Sequence, residues 1–316
     1  MTGPLDPAWP PLARHSLDRA AHRRRDEAWL TQAWERARIL VVDLAGGAKV
    51  LATGEPDKLG LVLLAPADLP PVDPADRLFL GVDLDGTPIF AVDTTLPSTA
   101  DGRAATLRQI GHQLSDRDAG LFITAVALAN WHARHPYSPA TGQPTLVAEG
   151  GWSRVDEAGG QLWPRTDPAM IALVHDGRDG PQGRCLLGNN AAWPAERGVR
   201  RYSCLAGFVE PGESAEAAVA REVAEEVGLP LDRVDYQGSQ AWPFPGSLML
   251  GFSALADPER PLRLEPTEIA HARWFTRAEI SAVVAGEPVD SGDGNLVRLP
   301  PQASIARFLI ARWLAG

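Results

Sequence analysis

GFVEPGESAEAAVAREVAEEVGL, from Gly207 to Leu229, divides into a turn, a helix and a stop. Pro211 and Gly212 are turn residues, one presetting φ and the other accepting φ > 0. Ser214 suits an N-cap, the Ala-, Glu- and Val-rich run after it is good helix former, and Gly228-Leu229-Pro230 ends it. At about 100° per residue, Glu222 and Glu226 lie about 40° apart, with Glu225 about 60° to the other side of Glu222. Three carboxylates therefore fan over one face. Val219, Val223 and Val227 form an apolar stripe beside them, which predicts anchoring on a core. Like charges this close repel unless a cation sits among them. A hard divalent ion is the economical counter-charge, and Mg²⁺ suits because it binds few carboxylates plus substrate phosphates. A solvated acidic face would explain three glutamates alone. It does not explain the fixed spacing of Gly207, Glu213, Arg221-Glu222, Glu225, Glu226 and Gly228.

The chain has 316 residues, enough for two domains each with its own core, and is 45% apolar and 22% charged. No apolar run approaches the roughly 20 residues that span a bilayer. The opening MTGPLDPAWPPL lacks the charged and apolar regions of a signal peptide, so a cytoplasmic protein is expected, with no membrane partner. Cys185 and Cys204 are too few for a disulfide framework and read as small buried residues. The net charge of −10 argues against a large nucleic-acid footprint.

Residues 1–16 are proline-rich and expected to be extended. Ser16 to Arg38 reads as helical. Short β-type runs follow (ILVVDL, KVLAT, LVLLAP and RLFLGVDLDGTPIFAVD), the last a hairpin about Asp85-Gly86. Thr106 to Trp131 has helical periodicity, and residues 132–164 read as loop. Strand-like runs resume with PAMIALV, RCLLGNN and SCLAGFV and continue after the acidic helix with VDYQGSQAWPF, SLMLGFSALA and ARWF. Helices are expected near Arg277–Val284 and about Gln302–Leu314. The alternation implies a mixed sheet covered on both faces, an α+β or α/β arrangement after a small β-rich domain.

A second motif, Ser239 to Met249, reads SQAWPFPGSLM. Two prolines and two aromatics make a stiff platform, suited to a flat ring because aromatic faces stack bases at low entropic cost. A rigid turn capping the core is the alternative for this motif taken alone. The acidic stretch matches the Nudix box without departure, and the second motif resembles the SQPWPFPxS signature of the NADH pyrophosphatase branch of the Nudix hydrolases, with Ala241 in place of a proline. DRAAHRR, DAGLFITAVALANWHARH, GGW, WPRTDPAMIALV, LAGFVEPGES and PPQASIARFLI are also similar to that family.

The resemblance implies a Nudix α/β/α sandwich over residues 165–316, an N-terminal domain over 1–130, and a zinc-ribbon-like segment over 131–164. It implies that Glu222, Glu226 and Glu268 hold Mg²⁺ or Mn²⁺, with Glu225 a further ligand or the general base, and that Arg221 orients the glutamates. Its substrate positions fall on Arg108, Trp163, Ala206, Gln240, Ala241, Trp242, Pro243, Phe244, Pro245, Gly246, Ser247 and Ala306. Family members often carry two CxxC pairs in the ribbon. Here Ser138, Thr141, Val155 and Ala158 stand there, none of them a good zinc ligand, so a ribbon held by packing without structural zinc is expected. The implied reaction is hydrolysis of NADH or NAD⁺ to nicotinamide mononucleotide and AMP, with NAD-capped RNA 5′ ends as a second substrate and a homodimer as the assembly. ADP-ribose or a nucleotide sugar is the alternative substrate. A non-catalytic NAD sensor is the alternative class, against which the complete set of box carboxylates counts.

Overall fold

In the computed structural model, which describes residues 9–55, 58–98 and 102–316, the chain forms two units. One comprises Met1–Thr166 with Ala241–Ser247, the other Asp167–Gln240 with Leu248–Gly316. Of the extended opening expected for residues 1–16, positions 1–8 lie outside the described residues, and Pro11–Ala13 forms a 3-10 turn rather than extended chain.

In the first unit the helix expected from Ser16 to Arg38 is shorter. Ala20 takes a left-handed φ of 40°, Ala21–Arg23 is a single 3-10 turn, and helix α1 spans Glu27–Glu35. Asp26 restarts the chain as N-cap, accepting from Trp29 N at 2.9 Å. The strands are β1 (Arg38–Val42), β2 (Lys49–Thr53), β3 (Gly60–Leu61), β4 (Leu78–Val82), β5 (Pro88–Asp93) and β6 (Arg103–Thr106). They form two three-stranded sheets, ordered β1-β5-β4 and β3-β2-β6. β4 and β5 are the expected hairpin, with Gly86 at φ 83° in its turn. The helical text after Thr106 splits into α2 (Leu107–Ile110) and α3 (Asp116–Arg134), because Ser115 caps a new helix by accepting from Asp118 N at 3.2 Å.

Residues 132–164, read from sequence as loop, contain a three-stranded antiparallel sheet: β7 (Thr145–Ala148), β8 (Ser153–Asp156) and β9 (Gln161–Leu162). Three of the four ribbon positions meet at one carboxylate. Asp156 accepts from Ala158 N at 3.1 Å, Gly160 N at 2.7 Å and Thr141 Oγ1 at 3.4 Å. The Ser138 hydroxyl also donates to it, and with the backbone N–H donors holds its carboxyl below the usual range. Val155 sits in the ladder opposite Leu146. His132 and His135 are engaged as well. Arg154 Nη1 donates to His132 Nδ1 at 2.9 Å, His132 Nε2 lies 2.8 Å from Gly151 O, and His135 Nδ1 lies 2.8 Å from Trp131 O.

The second unit is a six-stranded mixed sheet between helices. Its path is β14 (Arg233–Trp242), β15 (Ser247–Leu255), β10 (Asp167–His175), β11 (Arg184–Asn190) and β16 (Ile269–Thr276), and β13 (Leu205–Phe208) also pairs with β10. A parallel pair, β12 (Val199–Arg201) with β17 (Leu296–Arg298), stands apart from it. The period-2 pleat of β10 explains the layering. Met170, Ala172 and Val174 face a core containing Val219, Val223 and Val227 of α4 (Ala215–Val227). Ile171 and Leu173 face the other core, with Ile280 of α5 (Arg277–Ala285) and Ile305, Leu309, Ile310 and Trp313 of α6 (Ile305–Ala315). A strand covered on both faces is apolar throughout, as PAMIALV is. Cys185 and Cys204 are buried free thiols, both pushed up by burial, Cys204 to about 12. Among the described residues no helix is long and apolar enough to cross a membrane.

Candidate metal centre and substrate platform

Helix α4 is built as its sequence implies. Ser214 Oγ accepts from Ala217 N at 3.1 Å, and Gly228 closes the helix at φ 73°, where a Cβ would come within 2.8 Å of Arg263. With the three valines wholly buried, the adjoining edge presents the glutamates. Glu222, Glu226 and Glu268 each bring an oxygen within 4.8 Å of the others. Glu268 comes from the loop before β16. That loop is tied to the end of α4 by Glu265 N donating to Glu226 O at 3.0 Å, and Glu268 N donates to Glu265 O at 3.0 Å.

Glu226 is 3% exposed, and its Oε2 is buried without a hydrogen-bond partner among the described residues. Burial, then the charges of Glu222 and Glu268, push its carboxyl up to about 8. Glu222 is also raised, chiefly by burial, against the opposing pull of Arg221. A buried orphan oxygen beside two further carboxylates is an all-oxygen donor set short of positive charge. It fits a hard divalent cation of the Mg²⁺ or Mn²⁺ kind. Gly207 makes room for it: a Cβ there would lie 1.9–2.4 Å from the Glu222 carboxylate.

Arg221 is an organiser. Its Nε and Nη2 hold Glu213 through two bonds of 2.9 Å each, Nη1 donates to Glu222 at 3.0 Å and Glu225 at 2.9 Å, and Nη2 reaches Phe208 O at 3.0 Å. This fork holds its own proton far more firmly than a free guanidinium, the Glu213 bonds contributing most. Glu225 is thereby held at the edge of the cluster rather than within it, with its side chain 56% exposed. Glu213, counted in the spacing without a role, is the residue that anchors the guanidinium. Phe208, unassigned by sequence reasoning, lies next to Gly207 and is 60% exposed. A large aromatic left in water beside buried carboxylates is the signal that marks it.

Of the second motif, Ala241–Ser247 belongs to the first unit, whereas Ser239, Gln240, Leu248 and Met249 belong to the second. Trp242 and Phe244 stand edge to face, centroids 5.0 Å apart. The Arg108 guanidinium lies 4.2 Å from the Phe244 ring centre and 5.0 Å from that of Trp242, joining three expected substrate residues. Asn130 Nδ2 pins the turn by donating to Pro243 O at 2.8 Å, and the Phe244–Pro245 peptide is cis. Trp163, also in the first unit, is 59% exposed. In the second unit Gln240 and Ala306 are each 1% exposed, Gln240 Nε2 donating to Ala303 O at 3.0 Å, whereas Ala206 is exposed beside Gly207.

A capped acidic helix on a two-faced mixed sheet, with three converging glutamates, is the arrangement of a Nudix hydrolase, and the chain belongs to that family. Residues 165–298 match the NUDIX domain, and residues 32–131 match the NADH pyrophosphatase-like rudimentary NUDIX domain. The chain is 42% identical over 312 residues to NAD-capped RNA hydrolase NudC of Mycobacterium tuberculosis (strain ATCC 25618 / H37Rv), covering 97% of this chain and 95% of that protein. It is 36% identical over 213 residues to NAD-capped RNA hydrolase NUDT12 of Homo sapiens, covering 64% of this chain and 43% of that protein. Among solved structures, a NUDIX hydrolase from Nitrosomonas europaea aligns at 24% identity over 48% of this chain and 90% of its own, with a TM-score of 0.34.

Proposed function

We propose that the protein hydrolyses the pyrophosphate bond of NADH or NAD⁺ to nicotinamide mononucleotide and AMP, and acts likewise on the NAD cap of RNA 5′ ends. The observation that carries the chemistry is the orphaned, buried Glu226 oxygen facing Glu222 and Glu268. The substrate is supported by the relatives, both named as NAD-capped RNA hydrolases. Nudix hydrolases generally use divalent metals. Mg²⁺ or Mn²⁺ held by Glu222, Glu226 and Glu268 would supply charge neutralisation on the two phosphates and a more acidic water.

The remaining roles belong to the chain itself. Glu225 accepts the proton of the attacking water while Arg221 fixes its position. Water adds to one phosphorus as the bond to the bridging oxygen breaks, so the departing mononucleotide carries that oxygen away. Trp242 and Phe244, with Arg108, receive a ring of the substrate by stacking. Ala241, Pro243, Pro245, Gly246 and Ser247 set the shape of that turn. Gln240 and Ala306 act from behind the surface through backbone position, Ala206 lines the approach to Glu222, and Trp163 offers a further aromatic face. A homodimer and a cytoplasmic setting complete the proposal, and light scattering and cell fractionation test them. The ribbon segment works without structural zinc, which metal analysis of the purified protein tests.

The central test is product analysis with NADH, NAD-capped RNA and ADP-ribose in Mg²⁺ or Mn²⁺, with Glu226→Gln alongside. AMP and reduced nicotinamide mononucleotide from NADH, lost in the variant, are the expected result. Cleavage of ADP-ribose with NADH left intact would overturn the substrate. Binding of NAD without cleavage of any of them would overturn the hydrolase.

A further inference from the structure

The second unit contains another concave site, at the far end of β10 from the carboxylates. Met170 pairs with Gly207, whose Cβ position touches Glu222. His175 lies five residues further along the same strand, about 16 Å away at strand rise. Around it opens a cavity of about 250 Å³, whose wall includes His175, Arg178, Gln237, Ser253, Arg277 and Arg312.

Most of the wall's polar side chains offer donors. Gly177 N donates to His175 Nδ1 at 3.1 Å, so the neutral ring carries its proton on Nε2 and donates it to Ser253 Oγ at 2.8 Å. The Ser253 hydroxyl, having accepted there, keeps its own proton to give. Burial is the main force holding His175 in the neutral form this relay requires. Arg277 is fixed in place, its guanidinium 4.3 Å from the Trp313 ring centre and its Nε donating to Gly180 O at 3.2 Å. Its Nη1 is buried and has no partner among the described residues. Arg312 lies over Phe308, its guanidinium carbon 5.6 Å from the ring centre, a contact that uses none of its N–H donors. Asp179 is the acidic residue of the wall. Asp176, fully buried at its edge, is shared between Arg184 at 3.4 Å and Arg178 at 3.9 Å. Among the side chains of the wall, Arg178, Arg277 and Arg312 face one carboxylate, Asp179, which makes this a local positive site on a chain of net charge −10.

We propose that this cavity binds a phosphate monoester or inorganic phosphate. Converging guanidinium and hydroxyl donors match a compact dianion with several acceptor oxygens. A cavity of about 250 Å³ suits a phosphate with an attached sugar better than a polymer. The proposal does not rest on the hydrolase reading, since binding is measured without turnover.

The test is equilibrium dialysis of the full chain in EDTA against radiolabelled phosphate and AMP, for the wild type, Arg178→Gln/Arg312→Gln, and Glu226→Gln. The wild type is expected to take up about one phosphate per chain, and the double variant to bind it about tenfold more weakly or worse; AMP, which the aromatic platform also receives as a product, is counted only as the uptake that the double variant loses. Glu226→Gln is expected to bind as the wild type does. Tighter binding of AMP than of phosphate identifies a mononucleotide site, and equal binding identifies a phosphate site. Both altered arginines lie at the surface, and an unchanged melting temperature confirms that the variant is folded. Absence of binding at millimolar ligand, equal binding by the double variant, or loss in Glu226→Gln would overturn the proposal. Uptake of an oligonucleotide with internal phosphodiesters alone, but of neither monoester, would overturn it too.

Discussion

At Gly207 one methyl group separates a working carboxylate cluster from a blocked one. Its Cβ would sit within 2.4 Å of all three Glu222 carboxylate atoms, so Gly207→Ala must push that side chain aside. The expected outcome is a roughly 10–100-fold loss of Mn²⁺ affinity with the fold intact, the scale of changes that misorient a metal ligand. Calorimetric titration of Mn²⁺ beside a thermal melt checks it. Arg221→Lys is a second probe. A single ammonium cannot reproduce the two bonds to Glu213 together with those to Glu222, Glu225 and Phe208 O. A kcat roughly 10–100-fold lower, with NADH KM nearly unchanged, is expected if its task is orientation. A rise confined to KM would instead make Arg221 a substrate contact. Helical spacing was enough to bring Glu222 and Glu226 to one face. It could not reveal that Glu226 is buried with an orphan oxygen, because burial depends on the loop at Glu265 and Glu268 closing over it.

Among the elements, α4 was legible in full because cap, stripe and stop all lie within a few residues of one another. The two split helices were not, since periodicity continues through Asp26 and Ser115 while their side chains cap new helices. The segment after α3 read as loop because its strands are two to four residues long, too short for an alternation to register. Its order comes from side-chain bonds to backbone across the sequence. Asp156→Ala removes an acceptor from Ala158 N, Gly160 N and Thr141 and is expected to lower the melting temperature by several degrees. An unchanged melt would show that the ribbon holds without this carboxylate. His132 gives the same region a pH response. Burial, the largest cause, depresses its pKa to about 4, below the 6.5 of the unfolded chain. The unfolded state therefore takes up the proton first. The stability His132 contributes is present above pH 6.5 and is lost as pH falls toward 4, on the order of 1–3 kcal/mol. Urea unfolding at pH 7 and pH 4.5 should show a smaller loss on acidification in His132→Gln than in the wild type.

Over the whole molecule the net charge of −10 opposes a polyanion but matters less for a dinucleotide. Raising ionic strength from about 0.01 M to about 0.15 M shortens the Debye length from about 30 Å to about 8 Å and screens that repulsion. The kcat/KM for NAD-capped RNA, relative to NADH, is therefore expected to rise over this range. A steep fall would mean that local basic contacts to the RNA release counterions and outweigh the global field.

The sequence alone determined the mixed, two-faced sheet, the acidic helix and the aromatic turn, because each is written in contiguous residues whose spacing reports a local geometry. It did not determine that Ala241–Ser247, only a dozen residues past that helix, belongs with the first unit, pinned there by Asn130 and stacked by Arg108. Nor could it show the Arg221–Glu213 anchor, the Asp156 hub or the donor-lined cavity beside His175. These rest on side chains brought together from distant positions, or aimed by burial and charge that no spacing records. Local pattern specifies elements, while the desolvation and pairing of particular polar groups are settled only when the elements pack.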